Sequence, residues 1–196
     1  MKKFVVTCFG LLLAMSASLD CWAVLVKFDG GPTGLGTAFL TAENWSDDMV
    51  PGTVAGDQHA INDGFTSDYS TSDTTSLLSL RIGTDAPVNP LPAGTPGTLN
   101  MSDGMLIVTG GGDSFEIGRA CCDGQGVMNM TGDAVLEIQG SDPLIGDRDQ
   151  GTLNIGDTAS VISTRVGGAY WRIGNYGPSI DAGLEGDGLL NVNGSG

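Results

Sequence analysis

The chain has 196 residues, of which 32 are glycine, and its 8 lysines and arginines are outnumbered by 23 aspartates and glutamates, a formal net charge of −15. Glycine at about twice its average usage indicates tight turns at many points along the chain. The acidic balance argues against nucleic acid or an anionic membrane surface as a partner, because contacts with phosphate groups depend on clustered cations.

Residues 1–23 have the features of a signal peptide. A basic start at Lys2 and Lys3 precedes a largely apolar run over residues 4–17, and a plausible small-residue cleavage site ends at Ala23. A retained membrane anchor, the alternative, would need an apolar span of about 20 residues and a different flank. The sequence therefore predicts an exported protein, secreted or held at the bacterial cell surface.

Residues 24–78 differ from the repeats that follow and are predicted to form an N-terminal capping region. A stack of coils needs its first coil covered, because an open coil exposes apolar surface and unpaired strand edges. Trp45 is the expected buried plug of this cap, and a sugar-stacking aromatic site is the alternative for it. His59 is the only histidine, so a metal site with several histidines is not expected, and His59 is predicted to be a cap or loop residue.

Two phrases recur over residues 79–196 and define a repeat region. The phrase Gly-x-[Leu/Met]-Asn-apolar occupies Gly97–Met101, Gly126–Met130, Gly151–Ile155 and Gly188–Val192. The phrase apolar-x-Ile-Gly occupies Leu80–Gly83, Phe115–Gly118 and Trp171–Gly174, with a degenerate copy at Pro143–Gly146. The segment from each asparagine phrase to the next Ile-Gly phrase has a nearly constant length, whereas the connection back varies. Stacked coils joined by variable surface loops produce this pattern.

Apolar and polar residues alternate within the constant segments, which predicts strands and not helices. Leu99 and Met101 share one face of their segment, and Thr98 and Asn100 share the other. The same alternation predicts an inward-facing core of Leu80, Ile82, Leu99, Met101, Phe115, Ile117, Met128, Met130, Leu136, Ile138, Leu153, Ile155, Trp171 and Ile173. With about three strands in each repeat, the predicted fold is all-β, a right-handed parallel β-helix of about four coils behind the N-terminal cap.

The outward slots of the Ile-Gly phrases carry charged residues. Arg81 and Glu116 hold the same slot in consecutive phrases, so they are expected to be neighbours on the surface. Both side chains are expected to remain solvated, and their pairing would then contribute about 0–1 kcal/mol.

Carboxylates in the variable connections are the nearest approach to a catalytic or metal site. Asp123, Asp147 and Asp149 lie there, with Arg119 and Arg148 beside them. Adjacent coils lie about 4.8 Å apart and would bring such groups together. The favoured alternative is that these aspartates form turns with their neighbouring glycines. Nucleophile-elbow, phosphate-loop and calcium-nonapeptide motifs are absent from the sequence, so no catalytic, metal-binding or cofactor-binding residue and no cofactor is predicted.

Cys121 and Cys122 are adjacent in the same class of connection, and they are the only cysteines beyond the leader. Export makes oxidation plausible, but a disulfide between neighbouring residues requires an uncommon geometry. A vicinal disulfide and two free thiols remain open alternatives, and neither requires a redox function.

The last phrase opens a new coil at Gly188 and stops at Gly196, where earlier copies continue. This pattern predicts that the chain is truncated and continues downstream. An uncovered coil is expected to associate end to end with a second copy through the face that presents Trp171, Ile173, Leu190 and Val192.

The opening Asn44-Trp45, Val50-Pro51, Gly56-Asp57 and Ala60-Ile61, followed by the two repeat phrases, resembles exported β-solenoid passenger proteins of Gram-negative and planctomycete-type bacteria. These are the PEP-CTERM-type and autotransporter-like surface proteins. The resemblance covers residues 24–196 and implies a secreted or surface-displayed, mostly non-enzymatic, filament-like domain. The sequence departs from the family in lacking a Val-Pro-Glu-Pro sorting tail, so a membrane contact is expected only through an anchor downstream.

The predicted function is therefore that of an exported, non-enzymatic structural or surface-interaction domain, an adhesin or matrix-like protein whose partner is an unknown surface or extracellular polymer. The alternative is a polysaccharide-active parallel β-helix enzyme, a lyase or a glycoside hydrolase. An enzyme would need a pair of carboxylates with perturbed pKa values on a face shared by several coils, and a scaffold would not.

Overall fold

A computed structural model describes residues 25–54, 56–83, 96–118, 125–147, 149–164, 170–174 and 187–194. This part of the chain is all-β: it contains fifteen strands and two three-residue 3-10 helices, Gly31–Thr33 and Ala42–Asn44. No helix in these ranges is long and apolar enough to cross a membrane. The predicted signal peptide, Arg119, the two cysteines, Asp123 and Arg148 lie outside the described residues.

The strands form three parallel sheets, here named A, B and C. Sheet A contains β1 (Leu25–Lys27), β2 (Gln58–Ile61), β5 (Ser79–Ile82), β8 (Phe115–Ile117), β11 (Leu144–Ile145) and β14 (Arg172–Ile173). Sheet B contains β3 (Thr66–Tyr69), β6 (Gly97–Met101), β9 (Gln125–Met130), β12 (Gln150–Asp157) and β15 (Asp187–Gly194). Sheet C contains β4 (Thr74–Leu77), β7 (Met105–Val108), β10 (Val135–Ile138) and β13 (Ser160–Ser163).

Successive strands visit the three sheets in a fixed order, A to B to C, from β2 onward. Four complete cycles run from β2 to β13, and β14 and β15 begin another. Three strands for each repeat agree with the prediction from the sequence. The cycles begin at Gln58, so part of the region predicted to be a cap already pairs with the same sheets as the repeats.

The two sequence phrases correspond to two of the sheets. Each asparagine phrase lies in a strand of sheet B, and the phrases of β6, β9, β12 and β15 pair residue for residue. The Ile-Gly phrases lie in sheet A, where Ile82, Ile117, Ile145 and Ile173 form one column. In-register parallel pairing therefore explains why the glycine, asparagine and apolar positions of the two phrases recur at the same places.

The glycines of both phrases meet at one corner of the fold. Gly83 has a φ of +64° and its N–H donates to the Ile61 carbonyl at 2.8 Å. A Cβ atom on Gly83 would collide with the Gln125 carbonyl, and one on Gly97 would collide with the Ile61 carbonyl. No side chain fits where a strand of sheet A ends beside the start of a strand of sheet B, so glycine is required in both phrases.

Eleven of the predicted core residues, from Leu80 to Leu153 in the order given above, are confirmed, because each is at most 1% exposed. Ile155 and Trp171 are half-buried and pack against that core. The burial predicted for Ile173 is wrong, because its side chain is 42% exposed. Ile173 keeps the register of its column by pairing with Ile145, but no further described strand lies over it.

An aromatic cluster packs in the interior beside the first strands of the three sheets. Trp45 is fully buried, as predicted, and its indole N–H donates to the Phe39 carbonyl at 2.6 Å. The rings of Phe28, Phe39 and His59 each meet the Trp45 ring edge to face at 5.1 Å. A buried indole with its N–H satisfied packs as a structural residue, which is the plug predicted for it and not an exposed stacking site.

Candidate functional site

The outer face of sheet B carries the most regular arrangement of polar groups in the described part of the chain. Its strands alternate between buried inward residues and half-buried outward residues. Two outward rows run across all five strands: a first row of Thr66, Thr98, Val127, Thr152 and Leu189, and a second row of Asp68, Asn100, Asn129, Asn154 and Asn191. The outward positions predicted for Thr98 and Asn100 are therefore confirmed.

The second row is a continuous ladder of side-chain hydrogen bonds. Asn100 Nδ2 donates to Asp68 Oδ1 at 2.9 Å, and Asn129 Nδ2 donates to Asn100 Oδ1 at 2.9 Å. Asn154 and Asn191 continue the ladder, each donating to the preceding asparagine at 2.7 Å. Because every amide is fixed by its neighbours, the row presents ordered polar groups at the strand spacing of about 4.8 Å.

The first row borders a groove of about 400 Å³ between β12 and β15, lined by Gln150, Thr152, Asp187, Gly188 and Leu189. Leu189, which lines it, is 51% exposed. The groove therefore combines hydroxyl, amide, carboxylate and apolar groups.

A second groove, of about 260 Å³, lies where sheets A and C meet. It is lined by Gln58, Leu78, Ser79, Arg81, Gly110, Gly111, Asp113 and Ser114. The Ser79 side chain is 2% exposed, and its hydroxyl has no hydrogen-bond partner in the described structure. A buried hydroxyl without a partner is a departure from the usual satisfaction of buried polar groups.

Arg81 lines the second groove and pairs with Glu116, with Nε and Oε2 at 3.5 Å. The two residues are neighbours in sheet A, as predicted. The expected solvation of both is wrong, because the Glu116 side chain is only 4% exposed. The outer face of sheet A is covered at this point, which alternation along one strand does not reveal.

Of the aspartates considered as a catalytic or metal site, Asp147 and Asp149 are described. Asp147 is 3% exposed. Asp149 Oδ1 accepts a hydrogen bond from the Gln150 N–H at 2.8 Å, which is the local backbone contact expected of a turn-forming aspartate. Among the described residues, no group of three or more His, Cys, Asp or Glu side chains is placed to hold a metal ion.

His59 lies in β2, in contact with the aromatic cluster, and is 3% exposed. Its Nδ1 atom has no hydrogen-bond partner in the described structure. Burial lowers the pKa of His59 from 6.5 to about 4, against the opposing effect of the Asp47 carboxylate. A neutral histidine packed on Trp45 is a structural residue of the N-terminal end.

The asparagine ladder was not anticipated from the sequence, although its signal is present. Asparagine returns at the same place in every phrase, and in-register pairing of identical strands makes such rows bond to one another. Asp68 has no such signal, because β3 contains neither phrase. A comparison of the chain with protein-family models, with curated proteins and with solved structures gives no match.

Proposed function

We propose that the protein is an exported, non-enzymatic structural or surface-interaction protein of the adhesin or matrix type, related to the PEP-CTERM-type and autotransporter-like surface proteins. Its proposed form is a right-handed parallel β-solenoid of about four coils behind an N-terminal cap. The cyclic strand order supports this form, since every third strand returns to the same sheet one place further along. The right hand follows from the strong preference of parallel crossover connections.

The proposed function is inferred from the repeated amide groups on the outer face of sheet B. A catalytic site needs a few unlike groups at unique positions. Here the same amide returns on β6, β9, β12 and β15, so each of these strands offers the same amide contact as its neighbours. Such a face suits an extended partner, a surface or an extracellular polymer, better than a single reacting bond.

The second groove favours the competing function, a polysaccharide-active enzyme. The buried Glu116 carboxylate lies beside the Arg81 guanidinium, and Arg81 and the unpartnered Ser79 hydroxyl both line the groove. A buried carboxyl next to a cleft is a recurrent feature of glycosidic-bond cleavage. That chemistry needs a second carboxyl, and Asp113 is the one that lines the same groove.

The two functions differ in what they release from a polymer. The protein would be produced from the whole 196-residue chain in a Gram-negative host, recovered outside the cytoplasm, and mixed with neutral and acidic polysaccharides. A scaffold binds polymer and releases no new reducing ends. An enzyme releases them, and Glu116→Gln abolishes the release, whereas Glu137→Gln on sheet C serves as the matched control and leaves it unchanged. Release with that dependence would replace the proposed function, and retention in the cytoplasm would remove export from it.

A further inference from the structure

The outer face of sheet B has little charge in a strongly acidic protein. In the two rows, the outward residues of its three central strands are threonine, valine and asparagine at Thr98, Asn100, Val127, Asn129, Thr152 and Asn154, and the exposed Asp157 lies at the far end of β12. The only charged residues of the two rows and of the adjoining groove are Asp68 in the first strand and Asp187 in the last. The chain as a whole has a net charge of −15. A polyanion is repelled by such a protein, and a polycation finds its charge partners elsewhere on the surface.

The ladder leaves hydrogen-bonding capacity on every strand. An asparagine side chain has two N–H donors and an oxygen with two lone pairs. Each central asparagine uses one donor and one lone pair along the ladder, at 2.7 to 2.9 Å. One donor and one acceptor therefore remain on each of these strands. A partner that both donates and accepts at every repeat satisfies them, and hydroxyl groups do so.

The neighbouring row adds apolar contact. Threonine methyl groups, Val127 and Leu189 follow one another beside the amides. A sugar ring has hydroxyl groups on its edge and C–H groups on its face, so it matches an amide row beside a methyl row. Since the strands repeat at about 4.8 Å, a polymer of sugars can engage several of them at once and gains affinity from each.

We propose that the outer face of sheet B binds a neutral polysaccharide, which lies across the strands so that successive sugars meet successive rungs of the asparagine ladder. The inference rests on the proposed surface-interaction function and sharpens it by assigning the face and the chemistry of the partner. The groove beside Thr152 and Leu189 continues this contact surface onto the last strand.

The test is co-sedimentation of the whole protein with microcrystalline cellulose and with chitin, both neutral and insoluble. Gel retardation with polygalacturonate gives the anionic comparison. Thr98→Asp and Thr98→Lys place either charge at the centre of the contact, and Ser76→Asp and Ser76→Lys place the same charges at an exposed position of sheet C. Thermal unfolding of each variant checks the fold, and Thr152→Asp replaces a Thr98 variant that does not fold.

We expect saturable binding to at least one neutral polymer, unaffected by about 1 M salt because no ion pair carries it. Both Thr98 variants should weaken it at least about tenfold, since either charge must lose its hydration in the contact. The Ser76 variants should bind as the parent does.

Absence of binding to both neutral polymers would overturn the inference. So would polygalacturonate binding that Thr98→Lys strengthens, because the face would then recognise an anionic polymer. Loss of polymer binding in the Ser76 variants alone would show that the polymer binds sheet C and not sheet B. The surface-interaction function would be unaffected by that result. Release of reducing ends, in contrast, would overturn the proposed function itself.

Discussion

The first and last strands of the three sheets have different surroundings. At the N-terminal end, β1 pairs with β2, and the backbone at Thr37 and Phe39 bonds to Asp68 at 2.6 and 2.9 Å. Phe28, Phe39 and Trp45 fill the interior behind these contacts. At the other end, β13, β14 and β15 each pair with one strand among the described residues, as β1 and β4 also do at the first end, so the contrast lies in the aromatic filling and not in the pairing.

Exposed apolar side chains occur at both ends. In the N-terminal segment they are Leu25, Leu35, Met49 and Val54, of which only Leu25 lies in a strand, whereas four at the second end lie in strands. Ile162 is 43% exposed, Ile173 42%, Leu189 51% and Val192 65%. Ile173 holds the same slot as the buried Ile117, and Val192 holds the same slot as the buried Met130. Ile162 and Leu189 instead hold outward slots of their strands. The comparison of Ile173 with Ile117 shows that a repeat phrase determines the direction of a side chain, whereas burial also requires a paired strand on both sides.

The largest contrast between the two parts of the molecule is expected within one column of sheet A. Ile117 is fully buried, and Ile173 occupies the same slot two strands further along sheet A. Ile117→Asp places an unpaired carboxylate in the core and should abolish cooperative unfolding. Ile173→Asp leaves its carboxylate in water and should change the free energy of unfolding by less than about 1 kcal/mol. Circular dichroism during thermal unfolding distinguishes the two variants. Parent-like unfolding of Ile117→Asp would show that the register of sheet A is wrong.

The next contrast uses the two tryptophans. Trp45→Ala removes a fully buried ring and its hydrogen bond, and should lower the free energy of unfolding by about 3–5 kcal/mol. Trp171 is half-buried against the core at the open end, so Trp171→Ala should cost roughly 1–2 kcal/mol. Denaturant titration measures both values. Equal losses would mean that the two ends are equally well packed.

The phrases of the repeat region were sufficient to predict the strands, their inward residues and the three-strand period. Leu99, Met128 and Leu153 fall in one buried column because pairing in register preserves their phase. The sequence could not show where the cycles begin. The strands β2, β3 and β4 contain neither phrase, and they join the sheets through contacts with residues distant in the chain.

The candidate site was less accessible to prediction from sequence. The outward position of Asn100 follows from alternation, but its bond to Asp68 depends on which strand lies beside β6. The burial of Glu116 likewise depends on what covers the outer face of sheet A, which a local pattern does not contain. Long-range neighbours decide both properties, and one sequence without its pairing gives no direct signal of them.

Acid should destabilise the N-terminal end through His59. Its folded pKa of about 4 lies below its unfolded value of 6.5, so the unfolded state binds the proton more readily between these values. Stability is therefore fully present above pH 6.5 and declines as the pH falls to 4, by up to about 3 kcal/mol. His59→Leu removes the titrating group at similar volume, and its free energy of unfolding should depend less on pH in this window. An identical pH dependence in the parent and the variant would show that His59 is not a buried neutral group.

The smallest expected effect is self-association, and it follows from the same difference between the ends. The apolar edge around Ile173 and Val192 is expected to bind a second copy, while the N-terminal edge is already covered at Asp68. If only this end pairs, two copies form a closed dimer, because a growing chain of copies would need a second pairing surface. Analytical ultracentrifugation of the whole chain over a concentration series should therefore show a mass that rises and stops at twice the monomer. Val192→Asp should abolish the rise, and Ser46→Asp at the covered end should not. Higher oligomers would mean that the N-terminal edge is also open, and a monomer at every concentration would mean that the strand edges of β13, β14 and β15 do not pair with a second copy.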